Sequence, residues 1–286
     1  MIVGRITQLW RYPVKSMHGE RLDAVTLGAR GLPGDRGWAV RDEVAGEIRG
    51  AKKLPALMRC AARYLAEPSD DTVPPAEITL PDGTRIRSDA HDVSTRLSAL
   101  LGRAVILWPR RPATDREHYR RAAPDNPDLM AELRQVFGRL DDEPLPDLSV
   151  FPAEIMEFTS PLGTYFDAFP LHLLTTASLA AMAAQNPGAR FDVRRFRPNV
   201  LIEPVDGAVG LVENGWCGRT LRLGTATARI EMPCTRCVMT TQEQADLPKD
   251  PSILRTIVRD ADQSLGVYAT PADPGHLAVG DAVELI

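Results

Sequence analysis

The sequence predicts a mixed α+β protein dominated by strands and built in two halves. Three observations carry this. Most apolar residues fall in short runs of strand character, punctuated by Gly- and Pro-containing turns. Few stretches hold apolar residues at helical spacing for more than two turns. Residues 109–150 change character, with Pro109-Arg110-Arg111-Pro112 and Pro124-Asp125-Asn126-Pro127 marking loops around one amphipathic segment.

Ile2, Ile6 and Leu9 lie in an opening strand that ends at Pro13, and Leu22, Val25 and Leu27 mark a second strand. The glycines and proline of Gly31-Leu32-Pro33-Gly34-Asp35-Arg36-Gly37 force a tight turn before a strand resumes at Trp38-Ala39-Val40. Ile78-Thr79-Leu80 and Arg85-Ile86-Arg87 flank Pro81-Asp82-Gly83-Thr84, a hairpin signal with Asp-Gly at its tip. Val93, Leu97, Leu100 and Leu101 share one helical face from near Asp92, with Gly102 as the stop, and Ala104 to Trp108 returns to strand. Leu129, Met130, Leu133, Val136, Phe137 and Leu140 sit at helical spacing behind Asp128 as N-cap, and Asp141-Asp142-Glu143-Pro144 is expected to end that helix. The segment therefore connects two halves and is not a free linker. Leu171 to Leu174 predicts a short buried strand, and Thr176 caps a helix through Leu179 and Met182 that stops at Asn186-Pro187-Gly188. Val200-Leu201-Ile202 is a strand, Leu221 to Met232 alternates as one strand, Ser252 to Val258 is a helix, and Val267-Tyr268 with Ala282 to Ile286 forms a last strand pair.

Composition narrows the function classes. The chain has 286 residues, 44% hydrophobic and 25% charged, ordinary for a globular protein. A formal net charge of -4 gives no reason to expect nucleic-acid binding. No stretch reaches the roughly 18 apolar residues that span a bilayer, and Met1 to Thr7 lacks the pattern of a signal peptide. Four scattered cysteines, Cys60, Cys217, Cys234 and Cys237, suit a reducing cytoplasm better than a disulfide framework.

The chemistry concentrates at Pro233-Cys234-Thr235-Arg236-Cys237-Val238-Met239-Thr240-Thr241. A Cys-x-x-Cys is half of a four-thiolate zinc site, but no second half is visible. A thioredoxin-like redox pair would open a helix, which Val238-Met239-Thr240-Thr241 does poorly. Two inert buried cysteines are the bland alternative. Arg236, with Arg219, Arg222 and Arg229 upstream, weighs against it, because a guanidinium favours thiolate. Three further loops carry basic groups: Lys15 with Ser16, Arg36 at the glycine turn, and Arg197-Pro198-Asn199. Each alone reads as a solvated surface charge; together they suit a phosphorylated or pterin-type ligand.

Tyr12-Pro13-Val14-Lys15-Ser16, Gly34-Asp35-Arg36-Gly37-Trp38, Phe196-Arg197-Pro198-Asn199 and Cys234-Thr235-Arg236-Cys237-Val238-Met239-Thr240-Thr241 occur in this order in the MOSC family. Over almost its whole length the chain resembles that family, and is similar to its amidoxime-reducing branch and the bacterial relatives of that branch. The resemblance implies an N-terminal MOSC β-barrel domain over 1–125, packed against a MOSC β-barrel domain with peripheral helices over 126–286. It implies a molybdenum cofactor (Mo-molybdopterin) with Cys237 as metal ligand and catalytic residue. It also implies that Lys15, Ser16, Arg36, Arg197 and Asn199 grip phosphate and pterin, with Thr235, Arg236 and Tyr268 close by. A hydroxyl-bearing pair of the family is here Ala168-Phe169.

The implied reaction is two-electron reduction of small N-oxygenated compounds such as N-hydroxylamines, hydroxylated nucleobases or amidoximes. The chain carries no ferredoxin cysteine signature, dinucleotide fingerprint or haem attachment motif. Electrons are therefore expected from a separate donor: a ferredoxin, flavodoxin, flavoprotein reductase or b5-type protein. A carrier of cofactor or sulfur is the rival reading. A pyridoxal phosphate role finds no clear Schiff-base lysine among Lys15, Lys52, Lys53 and Lys249. His172 reads as a core histidine, Cys217 as structural, Cys234 as loop-shaping and Asp167 as a candidate proton shuttle. Asp141-Asp142-Glu143 reads as a solvated face or a greeting for a basic redox partner.

Overall fold

The structure is a computed structural model that describes residues 1–205 and 207–286. Along the chain the strands are β1 (Ile2–Arg11), β2 (Glu20–Leu22), β3 (Ala24–Leu27), β4 (Trp38–Asp42), β5 (Glu47–Ile48), β6 (Ala61–Tyr64), β7 (Ala76–Thr79), β8 (Arg85–Arg87) and β9 (Val105–Pro109). After residue 110 come β10 (Leu171–Thr175), β11 (Val200–Pro204), β12 (Thr220–Leu223), β13 (Ala226–Thr235), β14 (Ser264–Asp273), β15 (Gly275–Ala278) and β16 (Ala282–Leu285). The helices are α1 (Val93–Leu101), α2 (Arg116–Tyr119), α3 (Leu129–Phe137), α4 (Glu154–Glu157), α5 (Thr176–Gln185) and α6 (Pro251–Asp260).

Seven strands close a barrel in the order β11-β10-β14-β13-β12-β16-β1, with β1 pairing back onto β11 and β2 added beside β1. Closure removes the sheet edges that would otherwise expose unpaired backbone groups. β1 comes from the first residues of the chain, yet it bridges β11 and β16 from the second half. Its inward residues Ile6 and Leu9 pack with Leu173, Val200, Ile202, Ile230 and Val267 in the barrel core. Two three-stranded sheets, β5-β4-β9 and β6-β7-β8, lie outside the barrel. With α1 they bury a second core around Met17, Val40, Leu57, Ile78 and Leu97. The fold is thus α+β and β-dominated, as its strand-rich pattern predicts, with the closed barrel and peripheral helices that the resemblance implies.

Several elements differ from the reading of the sequence, each for a local reason. Leu221 to Met232 is a hairpin, because Gly224 (φ +61°) turns the chain between β12 and β13. Leu22, Val25 and Leu27 belong to two strands: β2 joins β1, whereas β3 pairs with β15, an element with no separate signal. α3 stops at Gly138, whose left-handed φ of +62° forms the C-cap ahead of Asp141. Thr175 is the N-cap of α5, its side chain accepting from Ser178 N. Val267-Tyr268 and Ala282 to Leu285 share the barrel without pairing with each other. The short β5, β6, α2 and α4 went unread because elements of two to four residues carry too little periodicity.

Pro233 lies within β13, beside register shifts at Ile230/Met232 and Pro233/Thr235. A proline removes a ladder donor, so the strand is irregular where it delivers Cys234. Opposite it, Gly266 (φ +79°) lets β14 press against β10: a Cβ there would overlap His172 Nε2 and stand 2.6 Å from Leu173 O. Gly266→Ala should therefore lower stability by about 1–3 kcal/mol through backbone strain and further through the clash. A urea midpoint equal to wild type would show that the close approach does not constrain the fold.

Candidate active site

The loop leaving β1, the glycine turn before β4, the turn entering β11 and the end of β13 meet at one cavity of about 140 Å³. Lys15, Ser16, Arg36, Arg197, Asn199, Thr235, Arg236, Cys237 and Tyr268 all line it. Residues separated by up to 253 positions in the chain (268 − 15) thus share one wall. Ala168, Phe169, His172, Asp167 and Lys52 line it too.

Backbone conformation singles out three of these loops. Ser16, Arg36 and Arg197 adopt φ of +70°, +49° and +56°, a region that costs non-glycine residues on the order of 1 kcal/mol each. Such strain persists only where surrounding contacts hold it. Tyr12 supplies many of them. Its ring takes Arg197 Cζ at 4.1 Å and Arg36 Cζ at 4.8 Å, and its hydroxyl donates to Pro198 O at 3.0 Å. Asp35, buried behind the turn, accepts from Tyr12 N at 2.8 Å, from Asn199 Nδ2 at 3.0 Å and from Arg36.

The charge in the cavity is unbalanced. Lys15, Lys52, Arg36, Arg195, Arg197 and Arg236 line it, while Asp167 is the one lining carboxylate among the described residues. Lys15 Nζ donates to Asp167 Oδ1 and Tyr165 O, both at 2.7 Å. Burial alone would raise the carboxyl of Asp167, but Lys15, Lys52 and Arg36 overcome it and hold the group well below the usual range. Asp167 is therefore ionised at neutral pH, and its side chain remains 47% exposed toward the cavity. Burial lowers Lys15, partly opposed by Asp167, while Asp167 raises Lys52. Arg197 has no carboxylate partner among the described residues; burial and the nearby Arg36 bring it down to about 10, so it stays charged. Arg197 Nη1 donates to Met17 O, whereas Arg197 Nη2 and Arg236 Nε are buried without a partner. Leaving buried cationic donors unpaired costs several kcal/mol per ion. An anion in the cavity would offset that cost.

The two cysteines are not equivalent. Cys234 is buried and its Sγ accepts from Arg236 Nη1 at 2.9 Å. Cys237 is half-buried, faces the cavity and opens a 3-10 turn, Val238–Thr241. Arg236 is therefore anchored on Cys234, with Nη2 donating to Phe196 O at 2.8 Å. The arginines upstream do not join it: Arg222 pairs with Glu284 and Arg229 with Glu231, and neither they nor Arg219 line the cavity. The loop beyond Cys237 is held by the buried Arg195, which donates to Gln242 O at 3.2 Å and Pro248 O at 2.7 Å. Among the described residues no three His, Cys, Asp or Glu side chains gather as a metal site.

Other side chains take definite places. The Asn199 amide is spent on the protein, donating to Asp35 and Trp10 O and accepting from His172 N at 3.1 Å. It fixes the turn instead of presenting free donors. Ser16 Oγ accepts from Ala51 N at 2.8 Å and keeps its own hydrogen available. His172 is pushed down to about 3 by burial and by Arg236, so it is neutral. Phe169 packs against Tyr268 with ring centroids 5.1 Å apart. Burial and the Cys234 thiol raise the Tyr268 hydroxyl well above its ordinary value. Lys52 went unread in the sequence, since nothing in Gly50-Ala51-Lys52-Lys53 marks it. Tyr12 and Asp35 sat inside quoted motifs, and the missing signal was their role in fixing the arginines.

Comparison with known proteins follows the same layout. A model described as the MOSC N-terminal beta barrel domain matches residues 3–100, and one described as the MOSC domain matches residues 163–284. The chain is 25% identical to mitochondrial amidoxime-reducing component 1 of Homo sapiens, over 99% of this chain and 83% of that protein. It is also 25% identical to mitochondrial amidoxime reducing component 2 of Bos taurus, over 98% of this chain and 83% of that protein. Among solved structures, the YuaD protein from Bacillus subtilis aligns over 99% of this chain and 96% of that one, at 11% identity with a TM-score of 0.45.

Two outcomes follow from this geometry. Iodoacetamide at pH 8 should alkylate Cys237 first and Cys217 more slowly, while Cys234 and Cys60 react only on unfolding; burial pushes the Cys60 thiol up to about 11. Peptide mapping of a time course reads this, and early labelling of Cys60 or Cys234 would contradict the buried placement. Burial also lowers His172 to about 3 and His18 to about 4, below the ordinary value near 6.5 in an unfolded chain. Their contribution to stability is complete above about pH 6.5 and is lost as pH falls toward those values, at up to about 1.4 kcal/mol per pH unit per ring. Urea midpoints from pH 7 to 5 should fall for wild type and fall less for His172→Gln; equal slopes would mean that His172 titrates normally.

Proposed function

We proceed from the fact that the chain belongs to the MOSC family, carrying its N-terminal barrel domain and its MOSC domain in order. On that premise we propose that it is a molybdenum-cofactor-dependent oxidoreductase that reduces N-hydroxylated compounds with electrons from a separate protein. The carrying observation is one cationic cavity with one accessible thiol, in a chain similar to amidoxime-reducing components. When bound, a molybdenum pterin cofactor would supply the two-electron removal of oxygen from an N–O group.

The residues present fit such a group. A soft thiolate suits molybdenum, and Cys237 offers one thiolate and no protein cage, which leaves room for a substrate. Lys15, Lys52, Arg36 and Arg197 form the basic cradle that a phosphate requires, and Arg197 Nη2 and Arg236 Nε lack partners. The Ser16 hydroxyl adds a donor on the strained turn that presents it. Asn199 and Asp35 act by holding Arg36 and the turn entering β11.

Reduction of R–NH–OH to R–NH2 and water takes up two electrons and two protons. Asp167 is held ionised by Lys15, Lys52 and Arg36, so at neutral pH it is not the proton donor. The protons at the cavity wall sit on Lys15 Nζ, whose burial makes it a stronger acid than ordinary lysine, and on the Lys52 ammonium. Asp167 accepts a hydrogen bond from Lys15, and its negative charge would favour reprotonation of the amine after that proton leaves.

The purified protein should contain about one molybdenum per chain and reduce an N-hydroxylated base with an artificial electron donor. Cys237→Ala should abolish turnover, and Arg197→Ala should lower bound pterin by tenfold or more, from loss of a buried charge-assisted contact worth about 1.5–3 kcal/mol. Zinc alone in the metal analysis would overturn the reading. Full cofactor loading with no turnover of any N-oxygenated compound would instead favour a carrier.

A further inference from the structure

An outer chamber, of about 260 Å³, adjoins the cavity that holds Cys237, and Lys15, Ser16, Lys52 and Asp167 line both. Leu133 and Val136 of α3 and Met156 of α4 add apolar walls to it. One stretch of chain is held over these spaces differently from the rest. Residues 144–154 send Leu148 into both linings and Phe151 into that of the Cys237 cavity. Among the described residues, every hydrogen bond of this stretch stays within residues 144–158. Neither Asp147 nor Glu154 joins an ion pair there, whereas Glu143 before them pairs with Arg255 and Glu157 after them with Arg120.

The two ends of the stretch are anchored. Glu143 Oε2 accepts from Leu140 N at 2.8 Å and from Arg255, and Glu143 O accepts from Arg134 Nη1 at 2.9 Å. At the far end Arg121 Nη2 donates to Ile155 O at 2.9 Å and to Phe158 O at 3.0 Å, and Phe158 is buried. Between the anchors the tip is stapled to itself. Asp147 Oδ1 accepts from Ser149 N at 2.9 Å and from Ser149 Oγ at 2.6 Å, and Leu148–Val150 forms a 3-10 turn. Pro144, Pro146 and Pro152 restrict the backbone on either side of that turn. Pro146 is buried and stays with the first anchor, whereas Leu148 and Phe151 are only half-buried. Lifting the tip therefore breaks no hydrogen bond to the barrel and costs the apolar contacts of these two side chains. Segments held in this way open locally while the core stays folded. We propose that residues 147–154 are a lid over Cys237, which swings out to admit a bulky ligand to the cationic lining and closes with Leu148 and Phe151 against it. Closure sheds water from the thiol and the lysines, which strengthens the charge contacts inside. The lid goes beyond the reductase reading and does not rest on it, since it follows from how the stretch is held.

Chymotrypsin reads the opening directly. The Leu145–Pro146 and Phe151–Pro152 bonds resist it because proline follows, so Leu148–Ser149 is the susceptible bond of the lid. Leu148 has to leave the cavity wall before it can enter the protease. The full-length protein without cofactor should be nicked there while circular dichroism shows the barrel folded, and the molybdenum-loaded protein should be nicked about tenfold more slowly. The second readout is the rate at which a polyethylene glycol maleimide, a bulky thiol reagent, labels Cys237 in the cofactor-free protein, followed by peptide mapping. Leu148→Ala and Phe151→Ala should each raise that rate by about fivefold to tenfold, because each removes an apolar contact that holds the lid shut. Val150→Ala, on a side chain of the same turn that is 54% exposed, should leave it unchanged. Nicking only at urea concentrations that unfold the barrel would overturn the proposal, and so would labelling rates unaltered in both Leu148→Ala and Phe151→Ala. Equal nicking of the loaded and cofactor-free proteins would overturn closure over the ligand. If metal analysis found no molybdenum, the reductase reading would fail, and the nicking and labelling of the cofactor-free protein would still decide the lid.

Discussion

The ring of Tyr12 lies against two guanidinium groups, those of Arg36 and Arg197, and the site depends on keeping them there. Each contact is worth roughly 0.5–2 kcal/mol, similar to the strain of the left-handed backbone on which each arginine sits. Neither term decides the geometry alone. What tips it is the network behind: Asp35 binds Arg36, the Tyr12 backbone and Asn199, and Asn199 ties the turn to β10 through His172 N. The barrel supplies the rigid end of this chain, because β1 and β11 are neighbours. Their pairing brings Tyr12 and Arg197, 185 positions apart (197 − 12), to within one side chain of each other.

The same logic separates the two cysteines. Arg236 directs one donor to Cys234 and another to Phe196 O, so the buried thiol anchors the arginine that lines the cavity. Cys237, one residue past Arg236, faces the cavity at the start of the 3-10 turn, where Arg139 donates to Arg236 O just before the turn and Arg195 to Gln242 O just after it. A pair that looks symmetric in sequence is thus divided between an electrostatic anchor and an open nucleophile. That division suits a centre needing one protein thiolate better than a dithiol exchange site, in which both sulfurs must meet.

Much of this was legible in the residue order. The strand-rich pattern, the helix stop at Gly102 and the basic loops all follow from residue types whose backbone preferences are strong. Helix α3 was placed correctly but ended early, because Gly138 in a charged context gave a weaker stop signal than the acidic run after it. The grouping of four loops was legible only through the order of the motifs, since spacing along a chain says nothing about which strand ends a barrel brings together. Lys52 was invisible for that reason: it reaches the cavity by way of Gly50, where a Cβ would stand 2.7 Å from Ser16 Oγ. The strands β12 and β13 merged because alternation continues through a glycine turn that carries no asparagine or aspartate.

Charge explains why the inner and outer spaces differ. Near Cys237 the lining has six Lys and Arg side chains and one carboxylate among the described residues, and two of its buried donors lack acceptors, so the wall is incomplete without an anion. In the outer chamber acids and bases are interleaved and nearly matched, and the walls between them are apolar. A large anion would gain little there, while an apolar body would be repelled by the desolvation cost of the inner wall. The boundary falls at Lys15, Ser16, Lys52 and Asp167, where the ion pair between Lys15 and Asp167 closes the charge balance from the inner side. The border is not charged throughout: Phe137, Leu148, Ile155 and Met239 also line both spaces, so the Lys15–Asp167 ion pair is flanked there by apolar side chains.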